Sequence, residues 1–205
     1  MILIGYSGHA FVAYSIAMAM GKTIAGYCDN EEKEFNPFSL EYAGPESGEK
    51  AISLFAVQEF FIAIGNNPTR KKIAEMLAGK GFYAANLIHP TAVVCPTASI
   101  GIHGVMIGSQ VSVNALAMIG NGVICNTSSV IEHECILGDY VHLAPGAVLC
   151  GNVTVGEGSF IGAGSVIRQG ISIGKNVTIG AGSVVVKNIA DNEIVAGNPA
   201  RTFSK

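Results

Sequence analysis

Residues 105–143 read VMIGSQVSVNALAMIGNGVICNTSSVIEHECILGDYVHL, and one aliphatic register runs through them in steps of six. From Ile107 the register takes in Val113, Ile119, Cys125, Ile131, Leu137, Leu143, Leu149, Val155, Ile161, Ile167, Ile173, Ile179 and Val185, all apolar. An α-helix needs apolar residues every 3.6 positions, and a meander of antiparallel strands needs turn signals at uneven intervals, so neither holds this phase for so long. Two places before each aliphatic stands a small or β-branched residue, as at Val105, Val111, Ala117, Val123, Ser129, Cys135 and Val141. Both sets are expected to point inward. Glycine follows the aliphatic at Gly108, Gly120, Gly138, Gly156, Gly162, Gly174 and Gly180, where the chain is expected to turn a corner. Each hexapeptide then supplies one short flat strand, and about 18 residues close a triangular coil. Residues 90–187 are therefore predicted to form about five coils of a left-handed parallel β-helix. Val94 and Ile100 keep the step upstream, but Ile100 to Ile107 is seven, which places one inserted residue near His103.

The whole composition agrees with stacked, turn-rich β structure. Charged residues make up 13% of 205, glycine reaches 26 residues, and 49% hydrophobic content is ample for a core. A net charge of −3 gives no reason to expect nucleic acid. The five cysteines, Cys28, Cys95, Cys125, Cys135 and Cys150, show no CxxC or zinc-ligand spacing, so they read as reduced thiols in a cytoplasmic protein, with no metal site. The N-terminus lacks the basic region of a signal peptide, and no uninterrupted apolar run of about 18 residues predicts a membrane span. Asn126, Asn152 and Asn176 open Asn-x-Ser/Thr triplets; asparagine tolerates the left-handed conformation of a tight corner, and corners are expected at all three.

The front half alternates differently. Residues 1–5 predict a strand, Gly5-Tyr6-Ser7-Gly8-His9 a turn, and residues 10–20 a helix, an arrangement whose free backbone N–H groups suit a diphosphate. Ser7 is also the expected helix N-cap. A second strand over 23–28 ends at Asp29 and Asn30, where a Rossmann-like unit contacts a ribose. A third over 59–64 ends at Gly65-Asn66-Asn67, and Pro68 starts a helix to residue 78. Residues 82–88 predict a last strand before His89-Pro90. The chain is thus read as a small Rossmann-like α/β domain, 1–88, followed by the β-helix, 89–205.

Four motifs carry a resemblance: Tyr6-Ser7-Gly8-His9, the stretch 60–67 with Arg70-Lys71-Lys72, the stretch 126–134 containing Glu132-His133-Glu134, and Ala196-Gly197-Asn198-Pro199-Ala200-Arg201. Together they resemble the PglD/NeuD-type sugar acetyltransferases over nearly the whole chain. The resemblance implies a front domain that holds the UDP part of a nucleotide-linked amino sugar, and a homotrimer binding acetyl-CoA between subunits. It implies acetylation of the 4-amino group of a UDP-4-amino-4,6-dideoxy-N-acetylhexosamine; relatives acetylate a GDP-amino sugar or a sialic acid hydroxyl. By motif, His133 is the general base, Glu134 raises its basicity and Asn126 orients the amine. His142, Ala163, Arg168, Ala181 and Lys187 face acetyl-CoA, while Ser7, Gly8, His9, Asp29, Asn30 and Gly65 surround the nucleotide. The chain has Asp29-Asn30 where two acids are common in the family.

The residues themselves support part of this assignment. Acetyl transfer to an amine needs a base for its proton, and histidine suits that task at neutral pH. Of the five histidines, only His133 lies between two glutamates in a chain with little charge. Cys125, Cys135 and Cys150 fall on inward or corner phases and read as core. His133 and His142 are nine residues apart, half a coil, and are expected on different faces, so a site using both spans two subunits. No Lys or Arg occurs from 81 to 167; Arg168, Lys175, Lys187, Arg201 and Lys205 follow, where CoA phosphates would need cations. The alternatives are O-acetylation of a sugar hydroxyl and a non-enzymatic, nucleotide-sensing or structural β-helix.

Overall fold

The computed structural model describes residues 1–202, and 203–205, with the cation Lys205, lie outside the described residues. The six-residue register folds into three flat parallel sheets around a triangular prism. The first face stacks Leu87–Ile88, Met106–Ile107, Ile124–Cys125, His142–Leu143, Phe160–Ile161 and Thr178–Ile179. The second runs from Val93–Val94 to Val184–Val185, and the third from Ser99–Ile100 to Ser172–Ile173. Register is 18 residues, as in Cys125↔Leu143, except in the first coil, where Ile88 pairs Ile107, 19 residues on. That extra residue is the predicted insertion. Both inward columns are buried, from Val105 and Ile107 to Ser183 and Val185.

The corners follow a rule the hydrophobic register did not reveal. Three places after each aliphatic the backbone is left-handed, at Gln110, Leu116, Gly122, Ser128, Glu134, Tyr140, Gly146, Asn152, Gly158, Gly164, Gly170, Asn176 and Gly182. Asn152 and Asn176 occupy such corners as expected; Asn126 does not, because it directly follows Cys125 and is buried. The glycines that follow the aliphatics have another purpose. A Cβ on Gly162 would lie 2.5 Å from the amide nitrogen of Ala181, and one on Gly156 2.6 Å from Gly174. They are required by close stacking of coils, and the turning is done elsewhere.

In the front half, β1 (Ile2–Ile4), α1 (Gly8–Ala19), β2 (Gly26–Cys28), β3 (Glu41–Tyr42), α2 (Glu49–Phe55), β4 (Phe60–Ile62) and α3 (Asn67–Ala78) follow one another. The four strands are parallel in the order β3-β2-β1-β4. The pair β3 and α2 was not predicted, since two and seven residues are too few to show a period. The expected strand over 82–88 is corrected: only Leu87–Ile88 is extended, and it pairs with Met106–Ile107 of the prism instead of the front sheet. Leu87, Met106 and Ile124 pack in one cluster with Leu3, Ala10 and Phe61, so the front domain's core continues onto the prism's first face. Among the described residues no helix is long and apolar enough to cross a membrane.

Gly162→Ala should destabilise the fold by about 1–3 kcal/mol through overpacking. Gly170→Asn, at a left-handed corner with open space, should stay within about 1 kcal/mol because asparagine tolerates that conformation. Thermal unfolding of the two variants beside the native chain measures the difference.

Candidate active site

The strand Val130–Ile131 leaves the second face at Glu132, and the next two residues form the corner. Glu134 occupies its left-handed position with φ 62°. This places the Glu134 carboxylate 3.0 Å from His133 Nδ1, on a corner where both side chains are more than half exposed. An ionised carboxylate only accepts, so Nδ1–H donates and the Nε2 lone pair remains for a substrate proton. The imidazole lies over Gly151, one coil on, where any Cβ would strike the ring. Sequence reasoning passed over Gly151; its signal was a glycine one full coil after the candidate base. Continuing by 18, the same edge carries Lys187, with Arg168 next to Gln169.

The nucleotide-side residues gather at the C-terminal edge of the front sheet. Ser7 sits at the N-cap position of α1 without a side-chain cap, and it and Gly8 are exposed at the helix N-terminus. Asp29 is not simply a solvated strand end. Its Oδ2 accepts from the Tyr6 amide at 3.0 Å, and its Oδ1 accepts from the Asn30 amide at 2.8 Å and pairs with Lys33. The carboxylate therefore holds the glycine turn in shape, while Asn30 stays exposed.

Gly65 lies between His9 and His142, and a Cβ there would be 3.6 Å from one ring and 3.8 Å from the other. His142 Nδ1–H donates to the Gly65 carbonyl at 3.1 Å. Burial, then the Arg70 charge, lower the His142 pKa to about 4 against the opposing pull of the Gly65 bond. His9 is likewise lowered to about 4, by burial first, then by His142 and Arg70. The Nε2 atoms of both rings are buried without a partner.

The structure thus brings His142 together with His9 and Gly65. The other residues assigned to acetyl-CoA separate into two groups. Ala163 and Ala181 stack on the edge between the first and second faces, whereas Arg168 and Lys187 follow the second-face strands, on the edge that carries His133. Asn126 stands near the Ala163 edge, a whole face away from His133. Within one chain these residues do not converge.

A parallel β-helix of hexapeptides preceded by a four-stranded α/β unit defines the architecture of a hexapeptide-repeat acyltransferase. The family model of the PglD N-terminal domain matches residues 1–77, and that of bacterial transferase hexapeptide (six repeats) matches 152–187. The acetyltransferase domain of PglB from Neisseria gonorrhoeae FA1090, solved with acetyl coenzyme A, is 36% identical, with a TM-score of 0.89 over 98% of each chain. A mutant of perosamine N-acetyltransferase from Caulobacter crescentus, solved with CoA and GDP-perosamine, is 34% identical, with a TM-score of 0.94 over 100% of this chain and 96% of that one. The UDP-N-acetylbacillosamine N-acetyltransferase of Bacillus subtilis (strain 168) is 38% identical over 102 residues, 48% of this chain and 47% of that protein. The chain spans about half the length of the curated relatives it matches. It belongs to the PglD-type family of hexapeptide-repeat sugar N-acetyltransferases.

Two predictions follow the geometry. Glu134→Gly removes the carboxylate and also a left-handed backbone cost of about 1 kcal/mol, so the thermal midpoint should rise while acetyl transfer falls about tenfold or more. Separately, His9 and His142 titrate near 4 when folded and near 6.5 when unfolded, so the unfolded chain binds protons first as pH falls. Their stabilisation is complete above about pH 6.5 and is lost towards pH 4, by on the order of 1 kcal/mol per pH unit for each ring. Guanidinium midpoints at pH 7 and pH 5 should show the drop, and His9→Gln should shrink it.

Proposed function

We propose that this protein transfers the acetyl group of acetyl-CoA to the 4-amino group of a nucleotide-linked 4-amino-4,6-dideoxy sugar. The UDP-linked N-acetylhexosamine is the acceptor we favour. The observation that carries this reading is the His133–Glu134 contact on an exposed corner, with Gly151 leaving room for the ring. The neutral amine attacks the thioester carbonyl as His133 Nε2 takes its proton. A C–N bond forms, the C–S bond breaks, and the proton passes from His133 to the departing thiolate. Glu134 holds the tautomer and stabilises the imidazolium between those two transfers.

The exposed N-terminus of α1, with Ser7, Gly8 and the turn braced by Asp29, suits the diphosphate, and exposed Asn30 is within the same loop for the nucleoside. His9 and Gly65 extend this site toward His142. Ala163 and Ala181 on one edge, and Arg168 and Lys187 on another, line acetyl-CoA only if the edges belong to two protomers. The working form is therefore a homotrimer with its sites between subunits. Exposed Leu116, one coil below Glu134, and outward Met118 and Ile136 on the third face favour a neighbour at that edge.

GDP-linked amino sugars are the second reading, favoured by the whole-length likeness to a protein solved with GDP-perosamine. Thiol release from acetyl-CoA with a panel of UDP- and GDP-linked 4-amino sugars decides between them. His133→Ala should lower kcat by about 10²–10⁴-fold. Undiminished turnover in that variant would remove His133 from the mechanism.

A further inference from the structure

Arg70 is 1% exposed, and no carboxylate pairs with it. Its Nε donates to Gly122 O at 2.9 Å, Nη1 to Ile64 O and Gly65 O at 3.1 and 3.2 Å, and Nη2 to Asn67 Oδ1 and Tyr140 O, both at 2.9 Å. All five N–H groups of the guanidinium are directed at oxygens of the loop after β4, the start of α3, and two successive prism corners. Asn67 extends the same contact to a third corner, donating to Gly158 O at 2.9 Å. Burial lowers the Arg70 pKa to about 10, so it remains charged at neutral pH.

Domain docking alone does not call for such a residue. A buried cation without a counter-charge is an expensive way to join two surfaces, and well-packed apolar side chains of similar volume usually do as well or better. The planar fork does supply fixed directions. One of its five oxygens, Gly65 O, is the atom that also receives His142 Nδ1–H.

We propose that Arg70 is a positioning residue for His142: by fixing the Gly65 carbonyl it holds the imidazole as the Nδ1–H tautomer, with Nε2 kept as an acceptor for an N–H or O–H of bound substrate. The unpartnered, buried Nε2 is the vacancy in hydrogen bonding that such a donor fills. The charge acts in the same direction. The ionisable groups that bear on His142 are His9 from α1 and Arg70 from α3, while the adjacent rung contributes uncharged Phe160. A permanent cation nearby opposes protonation of either ring, so both stay neutral and able to accept.

This inference rests on the reading of His142 as a residue serving acetyl-CoA. Its test compares Arg70→Met, Arg70→Lys and His142→Ala, each confirmed folded by its thermal transition, with KM for both substrates and kcat measured. Arg70→Met should lower kcat/KM for acetyl-CoA about tenfold and leave KM for the sugar nucleotide within about twofold, as expected for misplacement of one contact. Arg70→Lys should not restore it, because one ammonium cannot reproduce the fork. In ¹⁵N-histidine-labelled protein, the His142 ring should read as a single Nδ1–H tautomer in the native chain and as a mixture in Arg70→Met. Added to His142→Ala, Arg70→Met should cause no further loss in acetyl-CoA kinetics.

Normal acetyl-CoA kinetics in any folded Arg70 variant, full rescue by lysine, or an equal rise in both KM values would overturn the proposal. If His142→Ala is itself unimpaired with acetyl-CoA, the underlying reading of His142 fails. If His142→Ala is impaired and folded Arg70→Met is not, the positioning role alone fails. Should Arg70→Met not fold, Arg70→Gln takes its place in the same comparison.

Discussion

Every coil of the prism must return to the same place 18 residues later, so that each rung's N–H groups meet the carbonyls of the next, as Met106 meets Val123 and Ile124 meets Val141. Nearly everything else in the molecule depends on that closure. It forces a left-handed residue at each sixth position and a Cβ-free residue wherever two corners touch. It also leaves few places for chemistry. Inward positions are committed to packing, so reactive side chains appear on outward positions or at corners, which is where His142 and the His133–Glu134 pair stand. Glu134 accepts a conformation that disfavours most side chains, and the corner in turn directs its carboxylate onto the neighbouring imidazole.

The second constraint is the junction of front domain and prism. Leu87, Met106 and Ile124 belong to the front domain's core, so the two units share apolar surface. Polar contacts then fix their relative position: Arg70 and Asn67 reach carbonyls at residues 122, 140 and 158, the same corner in three successive coils. A loop from the α/β unit is thereby set against the first face with Gly65 between two neutral histidines. Asp29 performs a comparable internal task by bonding the Tyr6 amide.

Read as a single chain, the molecule is incomplete in an informative way. The small residues at 163 and 181 and the cations at 168 and 187 are held on different edges of a rigid prism. Flexing cannot unite them, because each edge is built into consecutive coils. The neutral imidazoles at the front junction and the carboxylate-paired imidazole at the corner are likewise on different faces, and their environments differ: one pair is desolvated beside a cation, the other is open to solvent beside an anion.

The six-residue register was enough to establish the β-helix, its coil length and the inserted residue, because a period repeated over so many turns leaves no other fold that buries every member. The Glu132-His133-Glu134 cluster was legible for a similar reason: charge is scarce in this chain, so its clustering stands out. The turn with Ser7, Gly8 and His9 was legible from glycine spacing. The pair β3 and α2 was not, since such short segments carry no period, and Leu87–Ile88 joined the prism because hydrogen bonding to Met106–Ile107 depends on partners far along the chain. Tertiary structure alone decided that Arg70 is buried, that Asp29 is engaged by a backbone amide, that Gly151 makes room for His133, and that Gly65 bridges His9 and His142. Each of these depends on which residues stacking brings together from coils or domains distant in sequence, and no local pattern encodes that proximity.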